Sequence, residues 1–183
     1  MAFLRKDFFA RDTLTVARDL IGTLLVTGGC EGRIVETEAY TTDLASHAVT
    51  TTNRSSLMRE TYGHVYVYLI YGMYYCLNLT TERDGIGAVL IRAIEPARGI
   101  DLMMERRGTS DARKLASGPG RLTQAFAIDL RFNGEPIGRE IRIKERPFEP
   151  EISTSPRIGI TRATELEWRF YETANPFVSR INK

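Results

Sequence analysis

Between Tyr62 and Leu79 the chain reads YGHVYVYLIYGMYYCLNL, and no other stretch restricts its fold as strongly. Six of the eight tyrosines fall inside it. Apolar and aromatic residues alternate with period two on both sides of Tyr71-Gly72, which predicts two strands meeting at a reversal of the chain. Tyr66 and Tyr68 then share one face, with Val65, Val67 and Leu69 on the other. On the return strand Tyr74, Cys76 and Asn78 lie opposite Tyr75, Leu77 and Leu79. A strand serving only a core is more simply built from Val, Ile and Phe, which carry no hydroxyl to satisfy. One face is therefore expected to enter the core and the other to present rings and an amide, with Tyr71 at a protruding tip. On the hairpin alone a half-buried ladder of cross-strand tyrosines is the simpler account. Catalytic groups aimed at the aromatic face would change that.

Other segments supply the rest of a sheet. DTLTVARDLIG predicts a short helix with Asp12 as its N-cap and Gly22 as its stop. Strands are expected around 23–27 and 32–40, and in GAVLIRAIEP, closed by Pro96. RGIDLMMERRG and RLTQAFAI read as helices, the second introduced by the turn SGPG. EIRIKE, RIGIT and WRFYE are short strand candidates. Strands outnumber helices and are mostly hairpin-connected. The expected fold class is α+β, a single domain over 1–183 with a curved, mainly antiparallel sheet, flanking helices and a protruding hairpin. At 183 residues and 43% apolar composition, one well-buried domain is comfortable and two are not.

Charge and cysteine usage narrow the setting. A formal charge of +2 tolerates a nucleic-acid partner without demanding one. Cys30 and Cys76 stand in separate segments, and His47 and His64 add no ligand spacing, so neither a metal site nor a disulfide framework is expected. No window approaches the apolar run of a membrane span, and charges interrupt the apolar residues of the N-terminus. A soluble, cytoplasmic protein without cofactor or membrane partner is the expectation.

Groups with chemistry lie on the neighbouring strand. In IVETEAY, Glu36, Glu38 and Tyr40 alternate with Val35, Thr37 and Ala39, so two carboxylates and a phenol share a face. Unpaired charge on an apolar strand is costly. An edge facing water or pairing with arginines such as Arg33 would account for it without function. His47 follows in a polar loop, where a lone histidine is usually just exposed. Arg92 interrupts the apolar run AVLIRAI, and a guanidinium there needs a carboxylate or an anion to bond.

GRIVETEAY, ASHA, YVYLIYGMYYCLNL, LIRAIEP and SGPGRLTQA, in that order, resemble the alkyladenine (3-methyladenine) DNA glycosylases, from about Gly32 to Ile128 with a weaker echo in RFYETANPFVSR. The short length is similar to the bacterial members, which implies a nucleoid-associated protein of a bacterium. The resemblance implies a monofunctional glycosylase, acting as a monomer on double-stranded DNA that contains damaged purines such as 3-methyladenine and hypoxanthine. It gives Glu38 the role of activating water, with Arg92 orienting it. Tyr40, His47 and Tyr68 stack around a flipped base, Asn78 rejects guanine, and Tyr71 fills the gap in the helix. Flipping is required because the bond lies inside the duplex. Electron-rich rings suit a cationic alkylpurine. Gly118 and Gly120 in SGPGRL could offer backbone N–H groups to a phosphate or simply make a tight turn.

The loop before the hairpin departs from the family pattern. Asn53 and Arg54 are in swapped order, Met58 follows Leu57, and Tyr62-Gly63 replaces Pro-Gly. Two other classes remain open to the sequence: a non-catalytic stacking platform for nucleic acid, and a hydrolase of free nucleosides or sugars. Glu38 argues against the first, because a carboxylate repels phosphate. An exposed Tyr71 has no use in the second.

Overall fold

The computed structural model describes residues 1–49 and 55–179. Asn53 and Arg54 lie outside them. Among the described residues eight strands form one antiparallel sheet: β1 (Leu24–Thr27), β2 (Cys30–Tyr40), β3 (Val65–Ile70), β4 (Tyr74–Thr81), β5 (Gly87–Arg98), β6 (Arg142–Lys144), β7 (Ile152–Ser155) and β8 (Arg169–Glu172). The order along the main path is β3-β4-β5-β2-β1-β6. Strand β2 is the spine. One edge pairs with β5 along nearly its whole length, and the other takes β1 at residues 30–33 and β8 at residues 36–38. Helices α1 (Thr13–Asp19), α2 (Ser56–Glu60), α3 (Ile100–Arg107) and α4 (Pro119–Ala125) complete an α+β fold with a curved sheet. No helix among the described residues is long and apolar enough to cross a membrane.

Local sequence explains much of this. The Asp12 carboxylate accepts the Thr15 N–H at 2.8 Å and caps α1. Gly22 turns the chain away at φ +87°. Pro119 opens α4 at a position where its missing N–H costs nothing. Alternation on the hairpin sorts as its period dictates. Val65, Val67, Leu77 and Leu79 enter the main core with Leu20, Ile91 and Phe126, beneath α1, α3 and α4. Tyr66 faces the other way, into a small cluster with Ala48, Met58 and Ala88. The outer edge of β3 is covered: Val65 N–H donates to Glu135 and Val67 N–H to Asn133 Oδ1.

Two expectations need correction. Pro96 does not close β5, which continues to Arg98. The register slips between the Gly32–Pro96 and Glu31–Arg98 pairs, and such a bulge tolerates a residue without an N–H. RIGIT is no strand; residues 157–161 form a loop, which touches β2 through the Ile158 N–H bonded to Glu38. The strand in that part of the chain is ISTS, whose polar residues show no apolar alternation and which pairs only with β8.

Candidate active site

The site is built on the neighbouring strands β4, β5 and β2, on the face shared with Tyr66 and Tyr68 of the β3–β4 hairpin. Between Ile34 and Thr37 the β2–β5 register shifts twice, leaving Val35 extra on β2 and Arg92 extra on β5. Paired bulges of this kind reverse which parity faces the core. Ile34 points into the core before the bulge, and Ala39 does after it. Glu36, Glu38 and Tyr40 therefore turn to the far face as a set, and Arg92 joins Ala88 and Leu90 there.

Both glutamates are fully buried. Glu36 is saturated by partners. It accepts Arg92 Nε at 3.2 Å, Arg169 Nε at 2.7 Å, and the Ser179 amide and hydroxyl at 2.7 and 2.8 Å. Glu38 accepts the Ile158 N–H on Oε1 at 2.7 Å, and the Tyr40 hydroxyl and Arg92 on Oε2 at 2.8 and 3.3 Å. Burial drives the Glu38 carboxyl above the usual carboxylate range, against the opposing pull of Arg92, the Ile158 amide and the Tyr40 hydroxyl. Burial alone would lower Arg92, but Glu38 and Glu36 together hold it firmly protonated. Burial, then Glu38, raises the Tyr40 phenol, so it stays a hydrogen-bond donor. Arg33, offered by the sequence as a bland partner, instead pairs with Glu95 and Glu172.

In front of this network lies a cavity of about 1100 Å³. Tyr40, His47, Tyr68, Asn78 and Arg92 line it, and so do Tyr71, Gly118 and Gly120 at its rim. Glu38 does not reach its surface; Tyr40 and Arg92, which hold its Oε2, do. The His47 and Tyr68 rings meet edge to face at 4.7 Å, and His47 Nδ1 lies 2.9 Å from the Tyr66 hydroxyl. Asn78 donates its Nδ2 to the Tyr66 and Cys76 carbonyls at 3.1 and 3.3 Å, which fixes the amide in the cavity wall. Among the described residues no group of three His, Cys, Asp or Glu is placed to hold a metal ion.

At the hairpin tip Met73 N–H closes a turn onto Ile70 at 3.2 Å. Tyr71 and Gly72 both have positive φ, +53° and +70°, as a type I′ reversal requires. Glycine accepts this freely, whereas a tyrosine there is strained by about 1–2 kcal/mol. Tyr71 is also 80% exposed, beside the exposed Met73 and Tyr74. Behind the tip, Gly120 lies against the Tyr74 ring, where an added Cβ would meet ring atoms at 3.0 Å. The Gly118 N–H already donates to Ala116, and α4 is one short helix, which favours the packing reading of SGPG.

Sequence reasoning missed two contributors. One is the 157–160 loop, whose Ile158 amide bonds Glu38; it was obscured by its strand-like IGI pattern. The other is Ser179, whose amide and hydroxyl both bond Glu36 and whose role there left no periodic signal. Arg107, Arg113, Lys114 and Arg121 also line the opening and make it basic.

A family model described as methylpurine-DNA glycosylase matches residues 7–176. Relatives from Chlorobaculum parvum and Rhodopseudomonas palustris are 47% and 46% identical, over 98% and 96% of this chain and 91% and 90% of theirs. One from Methanoculleus marisnigri is 47% identical over 94% of this chain and 96% of its own. All three are provisionally named 3-methyladenine DNA glycosylases.

Proposed function

The chain belongs to the methylpurine-DNA glycosylase family, and from that premise we propose that residues 1–183 act as a monomeric DNA glycosylase that excises alkylated or deaminated purines, 3-methyladenine and hypoxanthine among them, from duplex DNA. The observation that carries this reading is a buried carboxylate, Glu38, bonded to Arg92 behind an aromatic cavity with an exposed, strained Tyr71 at its rim.

In this reading the damaged nucleotide leaves the stack and its base enters between Tyr40, His47 and Tyr68, at a cost of a few kcal/mol in lost stacking. Tyr71 fills the vacated space, which makes use of a ring that no core would leave outside. Water attacks the sugar C1′ as the bond to the purine breaks and its electron pair departs with the base. The water meets Glu38 Oε2 between the Tyr40 hydroxyl and Arg92, which separate that oxygen from the cavity; Glu38 takes the water's proton and stabilises the developing oxocarbenium charge. Arg92, at the cavity surface and bonded to both glutamates, orients the water and favours the ionised form of Glu38 against its burial. The products are a free base and an abasic sugar. A cationic alkylpurine departs without a proton, while hypoxanthine requires one. No amine nucleophile enters this scheme, so the strand itself stays intact. Asn78, rigid in the wall, excludes the amino group of guanine.

Buried paired charge also supports catalysis over a passive stacking platform, since a platform needs no carboxylate at its centre. Duplexes carrying one hypoxanthine or one alkyladenine, incubated with the protein and then treated with alkali, test the proposal. Base release with breaks only after alkali is the expected result. Binding without release, or activity confined to free nucleosides, would overturn it.

A further inference from the structure

We propose that Arg157 is a positioning residue for excision, holding Tyr40 and, through Tyr40 and the adjoining Ile158 amide, the Glu38 carboxylate in place behind the cavity. This rests on the glycosylase reading above and extends it to a residue that touches neither the cavity nor the reacting atoms.

The Arg157 side chain is completely buried. Its guanidinium carbon lies 4.6 Å from the Tyr40 ring centroid and 5.1 Å from that of Trp168, so the cation bridges two aromatic rings. Tyr40 lines the cavity and Arg157 does not, which puts the guanidinium on the side of the ring away from the base site. One terminal nitrogen donates to the Ala39 carbonyl at 2.8 Å and to Asp43 at 3.1 Å; the other donates to Asp43 at 2.6 Å. Asp43 in turn accepts the Thr41 and Ala45 amides and so shapes the turn that leads to His47. The next residue, Ile158, gives its N–H to Glu38. One side chain thus joins the end of β2, the turn before His47 and the loop that bonds Glu38.

A guanidinium is an expensive way to fill a core position, because removing its charge from water is costly. The Nε is buried and has no hydrogen-bond partner among the described residues. Apolar packing would avoid both penalties. What it would not supply is a flat cation that stacks on rings while forking to a carboxylate in the same plane, and lysine does not supply that geometry either. The structure spends this geometry directly behind the ring that carries the Glu38 hydrogen bond.

The test uses the full-length protein. Wild-type release of hypoxanthine, abolished by Glu38→Gln, is established first; its absence would overturn the reading of the function. Arg157→Met and Arg157→Lys are then compared in single-turnover excision at saturating enzyme, with lesion binding, melting temperature and the pH–rate profile recorded. Both variants are expected to lose about 10²-fold in rate, the usual effect of displacing a reacting group by an ångström. Lesion affinity should change little, and lysine should not rescue. The acid limb should also move to higher pH. Glu38 is faced by Arg92 from β5, by Tyr40 and Glu36 on its own strand, and by Ile158 from the loop, with Tyr68 and Cys76 nearby on the hairpin. Loosening the Tyr40 and Ile158 bonds removes two of the contacts that favour its ionised form. Rates within about threefold of wild type and an unmoved acid limb, in either folded variant, would overturn the role. If neither variant melts cooperatively, Asp43→Asn decides, since it keeps the stack and removes the charge that the fork grips while its remaining side-chain oxygen can still accept from the turn amides. A lowered rate with a shifted acid limb supports the proposal, and an unchanged profile overturns it.

Discussion

The floor of the cavity and the tip of the hairpin invert the same rule in opposite directions. At the floor, charge that belongs in water is buried: Glu36, Glu38, Arg92 and Arg169 are almost wholly inside. At the tip, apolar surface that belongs inside is exposed, with Tyr71, Met73 and Tyr74 outside. The floor is over-determined, each carboxylate meeting several donors. The tip is held by one turn with a tyrosine in a conformation suited to glycine. Sequences that specify a fold break local rules mainly where function requires it. The floor is therefore expected to matter to both chemistry and folding, and the tip to substrate alone.

The sharpest break in that contrast concerns Glu38. Glu38→Gln should lower single-turnover excision by about 10²–10⁴-fold, the usual worth of a positioned base, while lesion binding persists in gel shifts. Folding should not suffer. The folded carboxyl holds its proton more tightly than the unfolded one, so the fold gains from that proton at acid pH and loses the gain as pH rises through the raised value. A neutral glutamine escapes the loss, and the variant should melt no lower than wild type at neutral pH. A clear drop in melting temperature would instead make Glu38 structural. The same shift places the acid limb of the wild-type rate above the value of about 4.3 of an ordinary glutamate. A limb at or below that value would remove Glu38 as the group that must ionise.

Glu36→Gln should behave in reverse. It disturbs a buried carboxylate serving two arginines and Ser179, at a cost of about 3 kcal/mol, or about 6–12 °C of melting temperature for a chain of this size. Turnover measured well below the melt should fall far less than in Glu38→Gln. An inactive but stable Glu36→Gln would mean that the roles along VETEAY are exchanged.

Smaller effects are expected at the tip. Tyr71→Ala should cost about 1–3 kcal/mol of flipped-state stability on a fully paired lesion, the worth of one base–aromatic stack. The loss should shrink on a mismatched or bulged lesion, where the nucleotide is already loose. Melting should be unchanged, and a large drop with a uniform rate loss would return Tyr71 to the structural side. Smallest of all is Tyr71→Phe, expected to match wild type because stacking needs no hydroxyl.

Much of both regions was legible in the chain. Period two on the hairpin assigned Val65, Val67, Leu77 and Leu79 to the core and placed Tyr68, Cys76 and Asn78 together on the opposite side. Tyr71-Gly72 marked the reversal. Alternation in IVETEAY set Glu36, Glu38 and Tyr40 on one face, and Arg92 stood out as a charge in an apolar run. Each of these is a local signal, because the pleat alone fixes which neighbours share a face.

What the tertiary structure decided depends on residues far apart in sequence. The facing bulges at Val35 and Arg92 arise from the register of two strands, which neither strand carries alone, and they turn the acids toward the cavity. Glu36 and Glu38 read alike in the chain. They differ because Ser179 and Arg169 close over one, while Ile158, Tyr40 and the cavity wall meet the other. The 157–160 loop carries a misleading strand-like pattern and the residues around Ser179 carry none, since their contribution is two backbone amides and a hydroxyl delivered at the right place. Residue types and strand alternation therefore placed the acids, the rings and the amide on shared faces, and the roles proposed for them came from the family resemblance. In the proposed mechanism Glu38 is the carboxylate left for catalysis, because long-range hydrogen bonds saturate Glu36.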